Sequence, residues 1–152
     1  MDINKVRNLL TDETTAAKTL DECQPMFDKA NEFSNLFLNG VLDNPGECTR
    51  VLNELTGVYL TLKPIHAMAE AKKVNNELTH YKTKKQEVEA RGEKFVSTSA
   101  EKEASLSVAL YREIVYVLDA YLSGIEKALS TCQSVLKFKS EEMRMTKELG
   151  NG

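Results

Sequence analysis

The chain has 152 residues, 41% of them hydrophobic and 28% charged, with a formal net charge of −3, which is ordinary for one soluble globular or coiled domain. No apolar run approaches the roughly 18 residues of a membrane span, and Met1–Leu10 lacks the charged-then-apolar pattern of a secretion signal, so a cytoplasmic protein without a membrane partner is expected. Cys23, Cys48 and Cys132 are odd in number, far apart and without a C-x-x-C spacing, which points to buried thiols and away from a disulfide framework or a zinc site.

Ala, Leu, Glu and Lys dominate, and three prolines and seven glycines leave little room for sheet. The fold class read from this is all-α. Asp2 is placed to cap a short helix through Leu10, and "TDET" from Thr11 restarts the helical pattern with acidic groups in its first turn. Pro25 lacks a donor and calls for a break or kink near Gln24. Met26, Phe27, Ala30, Phe33, Phe37 and Leu38 form the next apolar stripe, ending near Gly40.

"LDNPGE" is a stop-and-start signal, with Asn44 as N-cap, Pro45 at the first helical position and Glu47 at the third to support the cap. In the helix that follows, Val51, Leu55, Val58, Leu62 and Ile65 repeat at heptad spacing, and Val74, Leu78, Tyr81 and Val88 resume it after a phase change. Pro64 bends this helix in the sequence reading, and Arg91-Gly92 ends it. Thr98 and Glu101 stand in capping-box spacing for a last helix. Its stripe runs through Ile114, Val117, Tyr121, Ile125, Leu129, Cys132 and Val135, and at about 50 residues it would reach about 75 Å. A stripe that long exceeds what one antiparallel neighbour covers, so self-association through Ile114, Val117, Tyr121, Ile125, Leu129 and Val135 is expected. Gly124 within it marks a close crossing or a bend.

The organisation expected is an acidic N-terminal helical region, 1–43, followed by an elongated coiled-coil-like hairpin over 44–152. That hairpin consists of a basic helix at 44–91, a loop at 92–98 and a C-terminal helix at 99–149, the whole being one oligomeric domain.

Charge alternates in blocks: residues 1–54 carry −5, 55–100 carry +3, 101–126 carry −3 and 127–152 carry +2. The second of these blocks holds the concentration of Lys72, Lys73, Lys82, Lys84, Lys85, Arg91 and Lys94, with His80 and Tyr81 among them. Single-strand binders pair a positive track for phosphates with aromatic faces for bases, and this composition permits both. A solvated lysine-rich face, or docking on an acidic block of another subunit, uses the same residues. The phosphate-loop, H-E-x-x-H and G-x-S-x-G spacings are all missing, and His66 and His80 stand about 21 Å apart along a helix. No catalytic residue, metal site or cofactor is assigned.

"EAKKV", then "LTHY", a glycine-containing loop and "VSTSAEKEASLSVALYREIVYVLDAYLSGIEKALSTCQSVLKFKSEEMR" resemble the phage recombination mediator family of the UvsY type, over roughly residues 70–145. The resemblance implies a ring-like homo-oligomer in the host cytoplasm, assembled through the C-terminal helix. Such a protein binds single-stranded DNA and helps a RecA-class recombinase displace single-strand-binding protein. Carried across, the family's DNA-contacting region falls on Lys72 and Lys73 and near His80 and Tyr81. In the family pattern further basic residues follow the lysine pair, whereas Asn75, Asn76 and Glu77 stand here. The alternative is a helical structural or adaptor protein, such as a virion or assembly component or a chaperone, that binds protein partners only.

Overall fold

The computed structural model describes residues 3–38 and 44–150, and every regular element among them is a helix. The chain is all-α. Its helices are α1 (Ile3–Leu9), α2 (Glu13–Ala16), α3 (Thr19–Leu38), α4 (Pro45–Ala90), α5 (Ser97–Ser107) and α6 (Ala109–Gly150). The expected cap at Asp2 and helix end near Gly40 lie outside the described residues.

Local hydrogen bonding accounts for several boundaries. Ahead of α2, Asp12 Oδ1 accepts from the Thr15 N–H at 2.9 Å while the Thr15 hydroxyl accepts from the Asp12 N–H at 3.3 Å, a reciprocal box that satisfies two orphan donors. Those bonds, the Thr15 amide first, hold the Asp12 carboxyl below its usual range. At α4, Asn44 Oδ1 accepts from the Gly46 N–H at 2.8 Å. Glu47, expected to support this cap, instead accepts from Arg50 Nε at 3.0 Å. The far end of α4 closes as anticipated at Gly92, whose φ of 71° suits a residue without Cβ. Gly92 N–H reaches the Glu89 carbonyl at 3.0 Å and Glu93 N–H the Val88 carbonyl at 3.1 Å, the pair of bonds that ends many helices.

Three sequence expectations are corrected. Helix α3 runs without a break through Pro25, which is exposed and cannot donate to the Asp21 carbonyl one turn back. The helix expected over 99–149 is two helices separated at Val108. Val108 takes φ −112° and ψ 17°, and the Ser105 carbonyl accepts from the Arg112 guanidinium at 2.6 Å. Thr98 caps nothing, because α5 starts at Ser97 behind Val96, which makes no side-chain cap bond.

Two compact units are present. One comprises Met1–Glu22 and Pro64–Asp119, the other Cys23–Lys63 and Ala120–Gly152. The first buries Val6, Leu10, Ile65, Ala69, Val108, Tyr111, Ile114 and Leu118. Helix α5 adds Ala100 and Ala104 to that core, small side chains that let a helix backbone approach its neighbours closely. Thr19, buried in the same unit, donates to the Leu9 carbonyl at 3.3 Å. The second unit buries Cys23, Phe27, Phe33, Cys48, Val51, Leu55, Leu62, Leu122, Ile125 and Cys132. Phe27 stacks on Tyr121 with ring centroids 4.2 Å apart. Each fully buried Leu or Ile stabilises its unit by about 1.5–3 kcal/mol relative to exposure.

Candidate nucleic-acid interface

The basic residues between 72 and 94 belong to the first unit: Lys72 to Lys85 on α4, Arg91 and Lys94 in the turn before α5. At about 100° of rotation per residue, the α4 members are spread around the helix and share no single stripe. Lys73, His80 and Lys84 fall within about 40° of one another, on the side of Ala69, and are half-buried. Lys82 and Lys85 lie on the opposite side and are exposed.

Several of the candidate residues are engaged within the chain. Lys84 reaches Glu103 of α5 at 2.8 Å, and this contact is the leading cause that holds the Glu103 carboxyl below its usual range. Tyr81 meets Phe95 edge-on, ring centroids 5.6 Å apart, so its ring is packed and not offered as an open platform for a base. His80 is half-buried, with Nδ1 enclosed and lacking a hydrogen-bond partner. Lys73 stands 3.9 Å from Glu70, Lys85 3.8 Å from Glu89 and Arg91 3.8 Å from Glu93, separations at which surface pairs hold their charges weakly. Among the described residues Lys72, Lys82 and Lys94 form no ion pair.

Past Gly92 the backbone enters α5 with Ser97, Thr98 and Ser99 in its first turn, all exposed. Their N–H groups meet no capping side chain from Val96, and the positive end of the helix dipole lies there beside Arg91 and Lys94. This uncapped turn went unrecognised in the sequence because Thr98 and Glu101 mimic a capping box. Phe95 and Glu103 were missed as well, since a pairing across a turn leaves no periodic trace.

The stripe expected to mediate self-association is buried at two positions and half-buried at the others. Ile114 and Ile125 are buried, and Tyr121 stacks on Phe27 and accepts from Asn31 Nδ2 at 3.2 Å. Val117, Leu129 and Val135 are half-buried. In the second unit an open cleft of about 460 Å³ is bounded by Phe33, Phe37, Leu55, Tyr121, Gly124 and Ile125 among others. A Cβ on Gly124 would meet nothing within 4 Å, so no close crossing occurs there.

Among the described residues no group of three or more His, Cys, Asp or Glu side chains is gathered as a metal site, and no helix is long and apolar enough to cross a membrane. Comparison with protein-family models, curated proteins and solved structures gives no match.

Proposed function

We propose that the chain is a non-enzymatic recombination mediator, a ring-like homo-oligomer that binds single-stranded DNA. In this reading it helps to load a RecA-class recombinase in place of single-strand-binding protein. One observation carries the DNA-binding part: among the described residues Lys72 and Lys94 have no carboxylate partner, and exposed Arg91 and the uncapped first turn of α5 are Lys94's neighbours along the chain. Phosphates take cations and helix-start amides without regard to base, and repetition around a ring multiplies weak contacts through effective concentration. The recombinase and the displaced protein rest on the resemblance over residues 70–145.

Fluorescence anisotropy of a labelled oligo-thymidine strand across a salt series tests the reading. The Lys72→Ala, Arg91→Ala, Lys94→Ala triple variant should lower the salt slope by about 2 if each side chain meets one phosphate. Failure of the folded wild-type chain to bind at low salt would favour the second reading, a structural or adaptor protein binding protein partners only. The contacts of Tyr81 with Phe95 and Lys84 with Glu103 support that alternative, since they occupy two of the expected DNA contacts.

A further inference from the structure

In the first unit, α4 turns Ile65 and Ala69 into the core. Val74 and Leu78 lie about 140° and 180° around the helix from Ala69, and they remain 51% and 49% exposed. Ala67, Ala71, Lys82 and Lys85 share this outer face and are exposed too. Positions 67, 71, 74 and 78 have the spacing of a helix-packing seam. An uncovered seam thus runs along α4 and ends in two lysines, of which Lys85 has a loose partner in Glu89.

The same unit carries a face of the opposite sign. On α6, Tyr116 is turned about 160° from both Ile114 and Leu118, which are buried, and is 66% exposed. Glu113 and Asp119 flank it three residues to either side and are exposed. Among the described residues the one ion-pair partner of Asp119 is His66, at 3.8 Å.

We propose that these two faces dock on each other between copies of the chain: the Val74–Leu78 seam with Lys82 and Lys85 against Tyr116 with Glu113 and Asp119 of a second copy. The apolar side chains supply contact area, and two lysines against two carboxylates set the sign of the contact. Because the faces differ, the contact is head-to-tail and repeats until a ring closes or a filament grows. The proposal does not rest on DNA binding, and it leaves Lys72, Arg91 and Lys94 free for phosphates.

Sedimentation equilibrium at micromolar concentration tests it. The wild-type chain should give a multiple of 17.0 kDa. Lys82→Glu with Lys85→Glu should raise the concentration for half-assembly by about tenfold or more, and so should Leu78→Glu. Adding Glu113→Lys and Asp119→Lys to the lysine reversals should restore assembly, which no Leu78→Glu chain would share; circular dichroism checks that each variant keeps its helices. A wild-type mass of 17.0 kDa throughout, or reversed-charge variants that assemble like the wild type, would overturn the proposal. The Lys72, Arg91, Lys94 variant should keep the wild-type mass, so loss of DNA binding and loss of assembly are read separately.

Discussion

Lys84 Nζ meets Glu103 Oε2 at 2.8 Å, tying α4 to α5 across the Gly92 turn. Both side chains are partly shielded. Lys84 therefore serves the fold of the first unit in preference to a phosphate. Lys84→Ala should lower the melting temperature at neutral pH and leave the salt slope for oligo-thymidine unchanged. Lys85→Ala, whose Glu89 partner is 3.8 Å away, should leave the melting temperature within error of the wild type. Equal effects of the two changes on melting would remove the structural role assigned to Lys84.

Arg112 holds the Val108 break. Its guanidinium donates to the carbonyl and hydroxyl oxygens of Ser105, seven residues back. Charged hydrogen bonds to a partly buried carbonyl at a helix C-terminus are the stronger sort. Arg112→Ala should cost about 1.5–3 kcal/mol in denaturant unfolding, and Arg112→Lys should recover only part, lacking the forked donor geometry.

Ile114 and Ile125 act within the chain. Truncating either to alanine should cost about 2–5 kcal/mol of stability through lost transfer energy and a cavity. In sedimentation, folded Ile125→Ala chain should keep the wild-type mass. A change in mass without loss of stability would return these residues to an interface.

In the second unit, Lys29 and Arg50 bracket Glu54 and Glu32, and both cations lie 5.1 Å from the Phe33 ring centre. Glu54 is held below its ordinary value of 4.5, chiefly by Lys29, and Lys29 is raised in return, chiefly by Glu54. For a carboxyl lowered on folding, the stabilisation is fully present above the unfolded value and disappears as pH falls through the folded one. Glu54→Gln should therefore lower the melting temperature at pH well above 4.5, and the difference from wild type should shrink as the solution is acidified below that range. A constant difference at all pH values would mean that packing, and not charge, accounts for the loss.

All three cysteines are buried and outside any disulfide, and burial, with Cys48 alongside, pushes the Cys132 thiol up to about 11. Thiolate is the reactive form. A thiol reagent at neutral pH should label the native chain slowly and the denatured chain at all three positions, a contrast readable by intact mass. Rapid labelling of Cys132 in the native chain would contradict its placement.

Much of the helical architecture was legible in local chemistry. Asn44-Pro45 and Gly92 specify helix ends through bonds to their own neighbours, and Val51, Leu55, Val58, Leu62 and Ile65 announce a buried face by spacing alone. Pro25 and Thr98 misled, since a solvent-facing proline is tolerated inside a helix and capping-box spacing does not compel a cap.

What the sequence determined by itself was the all-α class, the termini of α4 and the sign of charge along the chain, because those follow from contacts within a few residues or from composition. Only the tertiary structure decided the use of each side chain: Lys84 on Glu103, Tyr81 on Phe95 and Tyr121 on Phe27, with Val74 and Leu78 left uncovered. Heptad spacing places an apolar side chain on a face, but burial depends on whether another helix comes to cover it. That approach is settled by long-range packing, which leaves no period in the chain.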